Sequence, residues 1–251
     1  MTGRTGYEPL DTPKAVARDV WIVDGPHIKF YGLPFPTRMT VIRLGDGSLW
    51  LHSPVRLTDA LQAAVAALGP VRYLVAPNNI HYASLGQWAA AFPAAECWVA
   101  PGVETRAAAH GIEIRADRHL ATDSPPWAED IWQSEARGSS VLHEFDFFHP
   151  ASRTLILTDL IENFETDKLP WWMRPLVRVV GIADPRGRMP PDMRLTFRGN
   201  AALLREHVAR LVDWGPERVI LAHGRWYETR GTVELRRAFR GVLGDEGTGR
   251  K

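Results

Sequence analysis

Cysteine, long hydrophobic runs and an excess of either charge are all scarce in this sequence. A single cysteine among 251 residues, Cys97, excludes an internal disulfide. No apolar run approaches the roughly 20 residues that span a bilayer. The N-terminal residues also lack the apolar core of an export signal, so we expect a cytoplasmic protein. With 30 basic and 29 acidic residues the formal net charge is +1, which argues against a nucleic-acid partner.

Strand and helix patterns occupy most of the chain. Residues 39–44 and 48–53 flank a Gly-Asp-Gly turn, which is a hairpin signal because glycine and aspartate accept positive φ. Thr58 is a predicted cap for a helix that ends at Gly69. Other predicted strands span residues 20–25, 27–32, 72–76, 96–100, 131–136, 141–149, 154–161 and 218–224, and other predicted helices span residues 85–91, 103–111, 201–214 and 233–242. Strand hairpins followed by alternating strands and helices occur twice along the chain. This order predicts an α/β fold: an αββα four-layer sandwich of two sheets covered by helices.

No repeat and no low-complexity linker divides the chain, so we predict a single domain over residues 15–243. Residues 1–14 and the Gly-rich charged tail, residues 244–251, are expected to be flexible. The Trp171-Trp172 pair is interpreted as packing between layers, with a membrane contact or a pocket cover as alternatives.

Five predicted strands end in, or lead into, histidine, asparagine or aspartate. The residues are His52, Asn78, Asn79, His81, His149, Asp159 and His223. Imidazole and carboxylate ligands suit zinc, iron or manganese. A single histidine at a strand end is more often a hydrogen-bonded loop residue than a ligand. His149 could shape a hairpin, and Asp159 could cap the next segment. A metal site therefore requires that the strand ends converge.

The order and spacing of these segments resemble the metallo-β-lactamase superfamily, whose fold is an αββα sandwich with metals at one sheet edge. Its H-x-H-x-D-H motif follows a long buried strand, and here N-I-H-Y-A-S follows RYLVA. The match puts His81 on the second histidine and Asn79 on the first, while Ala83 and Ser84 replace the Asp-His pair. The segments PNNIH, HPASRTLILTDLIENF and ILAHGRW resemble a divergent β-lactamase-like subgroup of unknown function.

The same resemblance matches two later strands. SRTLILTD, which ends at Asp159, corresponds to the strand of the metal-bridging aspartate, and His223 in RVILAHG corresponds to the closing histidine. No residue falls squarely on the third histidine, for which His143 or His149 could substitute. His52 lies where the family commonly has an aspartate that supports the site.

The resemblance implies a hydrolase with a reduced metal site that can be mononuclear. Zinc, or alternatively iron, would be held by His81, Asp159 and His223, with Asp159 and His81 catalytic, and the substrate would be a small ester, amide or thioester. His52, Asn78, Asn79, His149 and Arg225 are expected to support the site or to contact the substrate. Two alternatives remain at this stage: a metal-free protein that binds a small molecule in the same cleft, and a mononuclear iron redox protein.

Overall fold

The structure is a computed structural model that describes residues 7–30 and 33–244, with the backbone only at residues 29 and 30. The strands are β1 (Lys14–Ala17), β2 (Val20–Phe30), β3 (Leu33–Arg43), β4 (Leu49–His52), β5 (Val71–Ala76), β6 (Glu96–Val99), β7 (Arg118–His119), β8 (Trp132–Ala136), β9 (Glu144–His149), β10 (Thr154–Leu157) and β11 (Arg218–Leu221). The helices are α1 (Asp59–Ala66), α2 (Leu85–Ala91), α3 (Val103–Ala109), α4 (Met173–Val180), α5 (Pro191–Thr196), α6 (Ala201–Asp213), α7 (Gly231–Ala238) and α8 (Arg240–Leu243).

Two sheets form the centre of the fold. The first contains β1 to β7 in sequence order, and the second has the order β11-β10-β9-β8. The rings of Trp50 and Phe147 meet between the sheets at 4.9 Å. Buried side chains of α1, α2 and α3 join the core of the first sheet, and those of α6, α7 and α8 join the core of the second. This layering confirms the predicted α/β sandwich.

Local signals in the first half of the chain behave as expected. The 45–47 turn joins β3 and β4, with Gly47 at φ +83°. Oγ1 of Thr58 accepts a hydrogen bond from the Leu61 amide and caps α1. Among the described helices, none combines the length and apolar character that crossing a membrane requires.

Two predicted elements are divided differently. Residues 20–25 and 27–32 belong to one strand, β2, whose register with β3 is irregular between Gly25 and Ile28; residues 31 and 32 lie outside the described part. A Cβ on Gly25 would lie 2.6 Å from Oγ1 of Thr37, so the two strands approach closely there. The predicted last helix is two helices, α7 and α8, because the backbone leaves helical geometry at Phe239, whose side chain is buried.

The segment around α4 was not assigned any element from the sequence, and it forms part of the protein surface. Trp171 is 80% exposed and Trp172 is 46% exposed, so the expected packing of this pair between layers is wrong. At the N-terminus, the Asp11 amide donates to the carbonyl of Asp24 in β2. The segments expected to be flexible are residues 1–14 and 244–251. Of these, residues 1–6 and 245–251 lie outside the described part of the chain.

Candidate metal centre

His81 lies in the loop that follows β5, and Asn78 shapes that loop. The side-chain oxygen of Asn78 accepts from the amides of Ile80 and His81, both at 2.9 Å, which closes a tight turn. Nδ2 of Asn78 donates to Oδ2 of Asp159 at 2.6 Å. Nδ1 of His81 contacts Oγ of Ser53 at 2.6 Å. The imidazole is therefore oriented through its Nδ1, and its Nε2 faces Asp159.

Asp159 follows the C-terminal end of β10, where a buried glutamate holds the backbone. The amides of Thr158 and Asp159 donate to the carboxylate of Glu144, at 2.9 and 3.0 Å. Glu144 is fully buried at the start of β9. Because the Asn78 amide holds the Asp159 side chain and Glu144 holds its backbone, this carboxylate has a defined orientation.

His223 follows β11, and a network from the first sheet holds it. Its Nδ1 donates to the carbonyl of Pro36 at 2.8 Å. The buried guanidinium of Arg38 donates to the carbonyls of Leu221 and Gly224, at 2.6 and 2.9 Å, on either side of this histidine. Gly224 has φ +85°, and a Cβ there would lie 2.1 Å from the Asn163 carbonyl oxygen. Glycine is therefore required at the turn that presents His223.

These three side chains meet in a geometry that fits a metal ion. Nε2 of His81 lies 3.2 Å from Oδ2 of Asp159, and Nε2 of His223 lies 3.2 Å from Oδ1. All three donor atoms lie within 4.8 Å of one another. Tetrahedral zinc with ligands at about 2.0–2.1 Å keeps neighbouring donors about 3.3 Å apart. The two imidazole-to-carboxylate distances match that value, and each joins an imidazole to a different oxygen of Asp159.

The hydrogen-bond pattern of His223 gives a second test of fit. Because the Pro36 carbonyl can only accept, Nδ1 of His223 carries a hydrogen, and Nε2 is the ring atom that faces Asp159. A lone pair and a carboxylate oxygen 3.2 Å apart repel each other unless a proton or a cation lies between them. The donor set therefore suits a cation.

Burial and charge shift several pKa values here. Burial opposes ionisation of Asp159, but the charge of His81 and hydrogen bonds from both imidazoles outweigh it and hold the pKa of Asp159 below its usual value. Burial likewise disfavours the charged form of His81, but the Asp159 carboxylate raises the pKa of His81. Desolvation raises the pKa of the nearby Glu162 to about 8. The charged forms of Asp159 and His81 thus stabilise each other.

A cavity of about 700 Å³ opens beside this group, and His81, Asp159 and His223 form part of its wall. Glu162, Ser53 and Ser84 also line it. Most of the remaining lining side chains are apolar and come from β3, α4 and the loop before α5. The arrangement can therefore hold an organic molecule against the three donors.

His52, Asn78 and Asn79, which were also predicted to support the site or contact the substrate, do not line the cavity. His52 is buried against Trp50 and Phe147, burial lowers its pKa to about 3, and its Nε2 has no partner among the described residues. Asn78 supports Asp159 and does not line the cavity, and Asn79 binds the Val141 carbonyl instead. Neither asparagine is therefore placed to contact a substrate there.

His149 and Arg225 do not lie with the three donors. Because β9 and β10 are antiparallel, His149 pairs with Thr154 at the start of β10, five residues or roughly 15 Å of strand from Asp159. Its Nδ1 contacts Ser152. Arg225 is exposed and pairs with Asp184 at 3.5 Å, so it is not positioned for an anionic substrate group in the cavity.

Three residues that hold the site were not identified from the sequence: Ser53, Glu144 and Arg38. A signal existed for Glu144, since a carboxylate in the aromatic strand EFDFFH has to be buried with a partner. Arg38 and Ser53 carry no local signal, because their partners are far away in the sequence.

Solved structures with a similar fold are metallo-β-lactamases. An enzyme from Pontibacter korlensis shares 14% identity and a TM-score of 0.57, with 93% of this chain and 99% of that chain covered. One from Hirschia baltica shares 14% identity and a TM-score of 0.58, covering 92% and 96%. FIM-1 from Pseudomonas aeruginosa, in a mono-zinc form, shares 13% identity and a TM-score of 0.58, covering 93% and 96%. At these identities the likeness shows the fold alone.

A family model described as a domain of unknown function, DUF4336, matches residues 18–174. This range is more than half of the chain and contains His81 and Asp159 but not His223. Among curated proteins, none matches the sequence. The protein thus has the metallo-β-lactamase fold, and the chain belongs to the DUF4336 family.

Proposed function

We propose that this protein is a metal-dependent hydrolase in which His81, Asp159 and His223 hold a single ion, and that it cleaves an ester, amide or thioester. The observation that carries the proposal is the set of three donor atoms within 4.8 Å of one another on the wall of a ligand-sized cavity. Two histidines and one carboxylate with open positions are a ligand set of mononuclear zinc hydrolases. The mono-zinc form of FIM-1, which has the same fold, supports a single ion.

The surrounding residues determine how these ligands act. A bound zinc ion supplies a Lewis acid and lowers the pKa of a water molecule to about 7. Asn78 holds the Asp159 carboxylate, Ser53 orients His81, and the Pro36 carbonyl keeps the hydrogen of His223 on Nδ1. Such outer contacts raise the basicity of the ligands and restrict their orientation.

Glu162 is the proposed proton donor. With a pKa of about 8 its carboxyl group carries a proton at neutral pH, and it lines the same cavity as the three ligands. Water adds its oxygen to the acyl carbon, and the bond from that carbon to the leaving oxygen, nitrogen or sulfur breaks. The leaving atom keeps the electron pair and takes the proton of Glu162, and a proton of the attacking water restores Glu162.

Metal analysis of the purified full chain tests this proposal. We expect about one equivalent of zinc per chain, lost on dialysis against a chelator. Restoring zinc to 100 times its dissociation constant should add about 2.7 kcal/mol to the free energy of unfolding, which raises Tm by roughly 5–10 °C. Elemental analysis and thermal unfolding are the measurements.

His81→Ala and His223→Ala should remove the metal and the zinc-dependent rise in Tm. His143→Ala is the matched control, because His143 is exposed and lies outside the donor group. A full metal complement in His81→Ala would refute the ligand set. Stoichiometric iron would favour a redox protein, and wild-type protein without metal or response to zinc would favour a binding protein.

Ser53→Ala should weaken zinc binding by about 10- to 100-fold, because it removes the contact that orients His81. Ser84→Ala is the matched control, since Ser84 lines the same cavity without a described side-chain bond to His81. Competition with a zinc-sensitive dye measures both affinities. Equal affinities for the two variants would show that Ser53 does not position His81.

A further inference from the structure

The cavity beside the three donors has an uneven distribution of polar groups. His81, Asp159, His223 and Glu162 contribute polar groups to its wall, as do Thr37, Arg38, Ser53 and Ser84. Three further polar lining residues, His27, Arg56 and Asp192, are exposed and therefore lie at the opening. The remaining lining residues are apolar, so a ligand that fills the cavity contacts mostly apolar side chains.

The apolar wall is built mainly of aliphatic side chains. Val177 and Val180 of α4 and the following Ile182 face the cavity, as do Leu33 and Phe35 of β3. Met173, Val177 and Ile182 form one buried cluster with Phe164, against which Leu33 and Phe35 pack. No side chain of this cluster carries an amide or hydroxyl group. Binding of a hydrocarbon chain against this wall is therefore favoured by burial of apolar surface.

Helix α4 has one side on the cavity and the other on the outer surface. Leu176 lines the cavity and is 48% exposed, which places it at the opening, whereas Val179 is 84% exposed and faces solvent. The helix thus contributes Leu176, Val177 and Val180 to the cavity while its other side remains outside. A substitution at Leu176 therefore changes the cavity opening, whereas a substitution at Val179, three residues later, changes the outer surface.

We propose that the cavity holds the aliphatic acyl chain of the substrate, so that the site acts on esters, thioesters or amides of medium- to long-chain carboxylic acids. This inference rests on the proposed hydrolase function for the reaction and on the cavity alone for chain binding. The volume of about 700 Å³ lies within the range of roughly 300–1,000 Å³ that holds drug-sized ligands. A short acyl group would leave most of the apolar wall in contact with water.

The acyl chain then lies along the α4 wall with its carbonyl carbon at the three donors. The leaving group lies outside the apolar part of the cavity. Burial of hydrocarbon contributes about fourfold in affinity for each methylene group. We therefore expect kcat/KM to rise at least about 100-fold from butanoyl to dodecanoyl esters and to level off once the cavity is filled.

Two readouts on the zinc-loaded full chain test the inference. The first is hydrolysis of p-nitrophenyl esters from butanoyl to hexadecanoyl. The second is calorimetric binding of decan-2-one, which has the acyl chain but no bond to hydrolyse, compared with butan-2-one. We expect decan-2-one to bind at least about 100-fold more tightly.

Leu176→Glu and Val179→Glu form the matched pair, because both add a carboxylate to an exposed position of α4. Leu176→Glu should lower kcat/KM for the dodecanoyl ester and affinity for decan-2-one by about tenfold or more. Val179→Glu, outside the cavity, should leave both values unchanged. Similar Tm values for the two variants would show that both fold.

The outcomes separate the inference from the function on which it rests. Ester hydrolysis with no dependence on chain length, together with no preference for decan-2-one, would overturn the acyl-chain site and leave the hydrolase proposal standing. Tight binding of decan-2-one that Leu176→Glu weakens, without hydrolysis of any ester, would support the acyl-chain site and count against the hydrolase. Equal effects of the two α4 variants would also overturn the site.

Discussion

Asp159→Asn is expected to remove zinc from the purified protein and to lower kcat/KM for ester hydrolysis by about a thousandfold or more. The substitution keeps the shape of the side chain but removes the charge that faces both imidazoles. Loss of the metal costs several kcal/mol of transition-state stabilisation, and each 1.36 kcal/mol is a tenfold change in rate. Elemental analysis and steady-state kinetics of the same preparation measure the two effects.

Asp146→Asn is the control for this experiment. Asp146 is also fully buried and lies two residues after Glu144 in β9, on the same face of the sheet. It contacts His207 at 2.6 Å and does not belong to the group of three donors. Burial raises the pKa of Asp146 to about 8, so at neutral pH the asparagine resembles the protonated acid that it replaces. Zinc content and activity should remain. If Asp159→Asn keeps its zinc as well, the aspartate is not a ligand.

Arg38→Met should lower the free energy of unfolding by about 3 kcal/mol or more. The guanidinium is buried and lies 2.7 Å from the Asp24 carboxylate, which would remain in the interior with Lys14 as its ion-pair partner among the described residues. The carbonyls of Leu221 and Gly224 would also lose their donor. Since these carbonyls flank His223, we expect weaker zinc binding in the folded fraction. Urea unfolding followed by circular dichroism measures the loss of stability.

Two controls show whether the buried pair is responsible. Arg72→Met removes an exposed arginine that pairs with an exposed Asp46, and it should cost less than about 1 kcal/mol. Adding Asp24→Leu to Arg38→Met should recover part of the stability, because the uncompensated buried carboxylate is then gone. If Arg38→Met and Arg72→Met are equally mild, the Arg38–Asp24 pair does not stabilise the fold.

The sequence allowed some of the site to be located. Buried strands have a clear hydrophobic pattern, and the residues that follow them lie at a sheet edge, so His81, Asp159 and His223 could be placed among seven candidates by position. The resemblance to the metallo-β-lactamase superfamily then implied these three as the ligands. His149 could not be separated from them in the same way. It also ends a strand, but β9 runs antiparallel to β10, and strand direction within a sheet depends on pairing with distant residues.

The fold class, the hairpin around residues 45–47 and the Thr58 cap follow from the sequence by itself, because periodicity, turn residues and capping act over a few neighbouring residues. Tertiary structure alone decided that Arg38 holds the turn around His223, that Glu144 holds the end of β10 and that α4 forms a cavity wall. Each of these depends on contacts between segments far apart in the chain, which a local pattern does not encode. The apolar side of α4 has the same sequence pattern whether it faces a packed core or an open cavity, and only the neighbouring elements distinguish the two.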